Sequence, residues 1–388
     1  MITVLYIICS ATEHMNGATQ SSFDLIESLR GRVKFIVLFR YKGMAYDYFV
    51  NHGIECYTFP YLLVYGHRLK WFHYVLFPWH IWYIKNLRKV WKAKRFINRE
   101  LQGKQIDIIH TGASSTTFGY HLSKLLKVKH VWHVRDYLEM GVHIPGDLFV
   151  SFSHLKKLIN KSDARIAISN PCRMRWHMKD DNTWTILDAV RSEKDICYER
   201  NKEPYILFCT YYISEVGKGA SKVVNAFGKS GLFKPSHDNN QTIRLKMVGK
   251  CDDEYKKELV NLAENYGCAE FIDFIPLQDD VKPYFTHAMA YVNASVNEGM
   301  GRTTAEAMFY GCPVIGHASG GTLDLIKDSE TGYLFNTVEE CAELIKKVCT
   351  TNQEEVIIRA QEFARQNLSI ENYGEKILGI YNTVSNTM

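Results

Sequence analysis

The sequence predicts an α/β protein built from two Rossmann-like units, each a parallel sheet covered by helices. Three observations carry this prediction. Short apolar runs alternate with amphipathic stretches through the first half, and the rhythm restarts after the turn-like segment Asn201–Pro204. The length, 388 residues, also exceeds the size at which a single core stops growing.

In the first half, the runs ITVLYII from Ile2, VKFIVLF from Val33 and IECYTF from Ile54 read as strands. SSFDLIESLRG and YDYFVNHG between them read as helices. IDIIHTG, KHVWHV and ARIAIS extend the same sheet, each followed by polar or small residues at its carboxyl end, where ligands of such sheets bind. In the second half, YILFCTY, RLKMVGK, EFIDFI, AMAYVNAS and CPVIGHAS repeat the pattern, with helices from about Ala220 and over EYKKELVNLAENYG. A boundary near 196 gives units 1–195 and 196–370. The closing amphipathic helix, about 371–388, carries Tyr373, Ile377, Ile380 and Tyr381 near one face and is expected to pack back on the first unit.

A 46% hydrophobic and 23% charged composition is that of a soluble globular chain and excludes long disordered spans. The ten cysteines form no Cys-x-x-Cys pair and no cluster at zinc spacing, which points to reduced thiols, a cytoplasmic setting and no metal site. No Asp-x-Asp motif stands out, so the chemistry is expected to be metal-independent and to need no cofactor. The start, MITVLYIICSATEH, lacks a basic n-region and reads as a first strand, and no apolar run is long enough to span a bilayer.

The most informative stretch runs from Ala294 to Phe335. A strand feeds a loop carrying Glu298, Gly299, Met300 and Gly301, and a helix opens near Arg302 and Thr303. Glycines allow close backbone approach, and free amides at a helix start suit a diphosphate. Glu298 and Glu306 can each accept two sugar hydroxyls. Thr303-x-x-Glu306 also fits a capping box, in which Glu306 would only cap the backbone.

The ordered pattern Glu298-Gly-Met-Gly301-x-Thr303-x-x-Glu306-Ala-Met-x-x-Gly311-x-Pro313-Val314, with Gly320-Gly321 and Thr331-Gly332 behind it, resembles the retaining glycosyltransferases of family 4 and their Glu-x7-Glu motif. The resemblance implies a GT-B fold, two Rossmann-like domains with parallel sheets facing a central cleft: an N-terminal acceptor domain and a C-terminal donor domain. It implies that Glu298 holds hydroxyls of the transferred sugar, Glu306 those of the ribose, and Gly301 to Thr303 the diphosphate. Segments 271–277 and 247–251, with Ile275 and Gly249, would line the base.

Lys218 in YYISEVGKG corresponds to the family's lysine on the donor diphosphate. The Gly-Arg that usually precedes it is replaced here by Thr210, Tyr211 and Tyr212, which leaves open whether Arg302 or Lys250 supplies a second cation. Without the family, Lys218 reads as a solvated loop lysine. The loop His14-Met-Asn-Gly17-Ala-Thr19 resembles the family's glycine-rich loop over the phosphates, or else is an ordinary turn with Thr19 as helix cap. His133, at the end of a strand, would contact the sugar near its reacting carbon; on its own it reads equally as a structural histidine.

From Arg68 to Lys104 ten Lys/Arg face Glu100 alone, a local +9 in a chain of net +5. Trp71, Trp79, Trp82 and Trp91 are interleaved with Lys85, Arg88, Lys89 and Lys92, a mix that suits an anionic membrane surface and a lipid-linked acceptor. The competing reading is an aromatic core helix with a solvated basic face. No RNA-binding signature accompanies it, so nucleic acid is not expected as a partner.

The expected function is transfer of a sugar, with retention, from a nucleotide-sugar donor to a saccharide acceptor in surface-polysaccharide or glycan biosynthesis, as a hexosyltransferase. A UDP-sugar is favoured over a GDP-sugar. The protein would sit in the cytoplasm, peripherally on the inner face of the cell membrane. The alternatives are a silent nucleotide-sugar or glycan binder and a GT-B sugar-nucleotide epimerase.

Overall fold

The computed structural model describes residues 1–8, 17–65, 79–137, 148–149, 152–234, 242–296 and 298–386. The chain divides into two compact units, Met1–Ala189 with Tyr373–Met388, and Val190–Asn372. The first unit holds β1 (Ile2–Ile7), β2 (Val33–Phe39), β3 (Glu55–Thr58), β4 (Val64–Tyr65), β5 (Ile108–Thr111), β6 (Lys129–Val134), β7 (Leu148–Phe149), β8 (Ala164–Ala167) and β9 (Thr183–Thr185). The second holds β10 (Glu203–Tyr212), β11 (Arg244–Lys250), β12 (Ile272–Ile275), β13 (Ala288–Asn293), β14 (Val314–His317) and β15 (Tyr333–Phe335).

The main sheet of the first unit runs β3-β2-β1-β5-β6-β8-β9 and that of the second β12-β11-β10-β13-β14-β15. Every paired strand is parallel, as in β1 with β2 and β5, and β10 with β11 and β13. Helices cover both faces of such sheets, so their strands are apolar almost throughout: β2 buries six of seven residues, all but Lys34. In each unit the strand order reverses beside the first strand, between β1 and β5 and between β10 and β13. At such a switch point the loops leaving the two strands diverge and open a crevice at their carboxyl ends.

In the first unit a buried polar cluster stands at that edge. Arg135, just past β6, forks onto Asp188 through Nε at 2.8 and 3.1 Å, and donates to the Tyr6 hydroxyl at 2.9 Å, the Gly112 carbonyl at 2.8 Å and the Tyr373 hydroxyl at 3.1 Å. Tyr373 donates in turn to Asp188 at 2.9 Å. Asp188 and Tyr373 lie next to the two points where the chain passes between the units, so Arg135 ties both crossover segments to the first sheet.

Four histidines of the first unit are held neutral by burial. His110 and His133 titrate well below the ordinary histidine value, chiefly through burial and then through neighbouring cationic groups. Burial also lowers His130 to about 3 and His121 to about 4. The unfolded chain takes up these protons near pH 6.5 and the folded one does not. Stability is therefore expected to hold above pH 6.5 and to fall as the pH drops below it, continuing through pH 4 toward pH 3. Urea unfolding at pH 7.5, 6.0 and 5.0 checks this; a midpoint that rises on acidification would contradict it.

Candidate donor site

The second unit's crevice lies between the loops that leave β10 and β13. The β10 loop turns through Glu215 and Gly219: the Gly219 amide donates to the Glu215 carbonyl at 3.0 Å, and helix Ala220–Ser230 starts at once behind it. Lys218 stands on this turn. The β13 loop carries Glu298, and the two side chains meet across the switch point with Lys218 Nζ 2.9 Å from Glu298 Oε2. The cation that reads as solvated from sequence is thus paired with the first motif carboxylate.

Close approach of backbone shapes the β13 loop. The Gly321 amide donates to the Glu298 carbonyl at 2.7 Å, and a Cβ on Gly321 would overlap the Gly299 carbonyl oxygen, while Gly320 before it adopts φ +56°. Met300 is buried beneath the loop. Gly301 caps the next helix, Arg302–Phe309, at φ +99°, a conformation that L side chains rarely adopt. The first amides of that helix have no intrahelical acceptor and face the loop end, with the positive end of the helix dipole behind them.

The helix start removes the capping-box reading. Gly301 is the cap and no side chain caps the helix, so Thr303 and Glu306 lie inside it. Thr303 Oγ1 meets the Tyr291 hydroxyl at 2.7 Å, and Asn293 donates to Thr304 Oγ1 at 2.8 Å, fixing the helix to β13. Glu306, buried on this helix, pairs with Arg191 at 2.7 Å. Burial holds the Tyr291 hydroxyl well above its ordinary value, against the Thr303 hydrogen bond, and the carboxylates of Glu298 and Glu306 raise it further. Both carboxylates therefore bear on one buried tyrosine, from two levels of the same loop and helix.

Gly249, next to the last residue of β11, and Ile275, the last of β12, lie on the outer side of β10. Lys250 Nζ sits 3.1 Å from the Tyr211 hydroxyl and 4.9 Å from the centre of its ring, beside the place where the sequence lacks an arginine. Arg302 opens the helix at Gly301. Among the described residues no group of His, Cys, Asp or Glu could hold a metal ion.

Three expectations fare differently. Thr19 lies inside the helix Gly17–Ser28 and is fully buried, so it is not that helix's cap; the loop before Gly17 lies outside the described residues. His133 has no exposed surface and stands 3.5 Å from Asp188, with neither ring nitrogen hydrogen-bonded; the segments 9–16 and 138–147 that follow β1 and β6 lie outside the described residues. In helix Trp79–Glu100 the core face is Val90, Ala93 and Ile97, whereas Ile84 and Trp91 are 44% and 58% exposed beside exposed Arg88 and Lys92. The aromatic-core reading fails for Trp91. Lys89 donates to the Pro60 carbonyl at 2.7 Å. Trp71 lies outside the described residues, as do the side chains of Trp79, Trp82 and Lys85. No described helix is long and apolar enough to cross a membrane.

Residues 191–365 match the family model described as Glycosyl transferases group 1. The match lies within the second unit. Similar curated proteins include the Glycosyltransferase 1 domain-containing protein 1 of Xenopus tropicalis, 28% identical over 170 residues that make up 43% of this chain and 46% of that protein. The human GDP-Man:Man(3)GlcNAc(2)-PP-Dol alpha-1,2-mannosyltransferase is 30% identical over 38% of this chain and 31% of that protein. The chain thus matches less than half the length of either relative. The structure of Anabaena HepE in complex with UDP superposes over 99% of this chain and 100% of that one, with a TM-score of 0.76 and 17% identity. The two parallel-sheet units therefore share the fold of GT-B glycosyltransferases. Sequence reasoning missed Arg191 and the Arg135–Asp188 pair, which no linear motif announces.

Proposed function

We propose that the chain is a retaining glycosyltransferase that takes a sugar from a nucleotide-sugar donor bound on its second unit. The observation that carries this reading is the meeting of Lys218 and Glu298 across the β10/β13 switch point, with the Gly301 helix start and Glu306 next to it. A bound donor would place its diphosphate on the helix start and on Lys218, its sugar hydroxyls on Glu298 and its ribose on Glu306. The acceptor hydroxyl would attack the anomeric carbon from the face that the diphosphate leaves. The new C–O bond forms as the bond to the phosphate oxygen breaks, and the leaving phosphate takes the acceptor proton. Lys218 offsets the charge that builds on the leaving group, without a metal ion. Carboxylates that hold hydroxyls, rather than flank the scissile bond, fit transfer better than hydrolysis.

HepE was solved with UDP and with UDP-glucose, which favours a UDP-sugar; the human relative's name specifies GDP-mannose and a dolichol-linked acceptor. A thermal-shift panel over UDP, GDP and ADP sugars, followed by a transfer assay on the sugar that stabilises the protein, tests the reading. Stabilisation by one nucleotide sugar together with transfer is expected. Binding with neither transfer nor donor hydrolysis would leave a nucleotide-sugar binder instead.

The first unit would supply the acceptor side, in surface-polysaccharide or glycan biosynthesis at the cytoplasmic face of a membrane. Helix Trp79–Glu100 supports this: Ile84 and Trp91 share an exposed face with Arg88, Lys92, Arg95 and Arg99. Two apolar side chains among four cations suit an anionic lipid surface and a lipid-linked acceptor. Flotation with phosphatidylglycerol vesicles is expected to carry the protein at low salt and to release it at high salt, because the attraction is screened. Absence from the vesicle fraction at low salt would contradict the membrane role.

A further inference from the structure

Arg191 is the second residue of the second unit, far in sequence from the motif loop. Its guanidinium nevertheless grips the motif helix. Nη2 lies 2.7 Å from Glu306 Oε1, and Nε donates to the Tyr310 hydroxyl at 2.6 Å. Nη1 donates to the Val190 carbonyl at 3.2 Å, anchoring the fork to its own backbone. Glu306 and Tyr310 stand one helical turn apart, and the Tyr310 amide donates to the Glu306 carbonyl at 3.0 Å. The fork therefore spans two side chains on one helix face. A lysine, a point charge on a flexible stem, could not hold both in this way.

The consequence lies in what remains of the Glu306 carboxylate. It has about four lone-pair sites, and the salt bridge to Arg191 uses one of them on Oε1. The ion pair fixes the plane of the group, leaving Oε2 and the second lone pair of Oε1 for other donors. A vicinal diol has that complementary pair of donors. We infer that Arg191 is a positioning residue that presents the Glu306 carboxylate to the ribose diol of the donor nucleotide, and so sets selectivity for nucleotides with both hydroxyls. This rests on the donor reading above, in which Glu306 takes the ribose.

Titration calorimetry of the full chain with UDP, GDP and their 2′,3′-dideoxy analogues tests it. The wild-type protein is expected to bind one of the two diphosphates and to prefer it over its dideoxy form. Arg191→Met is expected to weaken the natural nucleotide by roughly 10- to 100-fold, the size of a hydrogen bond to a charged group, with little effect on the dideoxy form. Arg191→Lys, which keeps the charge but not the fork, is expected to fall between and remains informative if the methionine variant does not fold. A wild type that discriminates, with both variants discriminating as strongly, overturns the role of Arg191 alone. A wild type that binds diol and dideoxy forms equally, or binds neither nucleotide, overturns the donor reading and this inference with it.

Discussion

Lys218→Ala is expected to lower the turnover number by about 10²- to 10³-fold while leaving the melting temperature nearly unchanged. The two halves of this expectation come from different physics. The pair of Lys218 with Glu298 is part-exposed, at 35% and 24% of the side-chain surfaces, so water screens it and it contributes at most about 1 kcal/mol to the fold. In the reacting complex the same ammonium would face a diphosphate gaining charge, and a fixed cation aimed at that developing charge is worth far more. Glu298→Ala is expected to lose activity to a similar degree through the sugar hydroxyls. Steady-state kinetics beside a thermal melt separates the effects. Near-normal turnover in both variants would remove these residues from the chemistry.

Arg135→Ala has the opposite signature, a large loss of stability. The guanidinium is buried, held by the charge of Asp188 against the cost of burial, and bonded to Tyr6, Gly112, Asp188 and Tyr373. Removing it leaves Asp188 buried without its cation, at a cost of about 3–5 kcal/mol. For a unit of this size that lowers the melting temperature by on the order of 10 °C. Asp188→Asn in the same chain is expected to restore part of the loss, since the stranded charge is the main penalty. A double variant no more stable than Arg135→Ala alone would show that the hydrogen bonds, rather than the charge, carry the cost.

The contrast between these residues explains what the sequence could reveal. The strands were legible because parallel strands buried on both faces are apolar almost without interruption, as in Val33–Phe39 and Ala288–Asn293. The Glu298 to Glu306 segment was legible because loop and helix start are contiguous, so a local pattern of Gly, Thr and Glu specifies them. Arg135 and Asp188 stand 53 residues apart, and Arg191 stands 119 from Tyr310, distances that only the folded sheet order closes. The burial of His133 was not legible, because the end of a strand does not reveal what packs against it. In helix Trp79–Glu100 the spacing of Ile84 and Trp91 is regular but marks the exposed face. The core face is made of the less conspicuous Val90, Ala93 and Ile97, which dock against the first sheet.

The donor site stands or falls with where a nucleotide binds. A crystal structure of the chain with UDP is expected to place the diphosphate at the start of helix Arg302–Phe309 within reach of Lys218, with the ribose hydroxyls on Glu306 and the Arg191 contact kept. A nucleotide seated in the first unit, or one that leaves Lys218 and Glu306 untouched, would contradict the account.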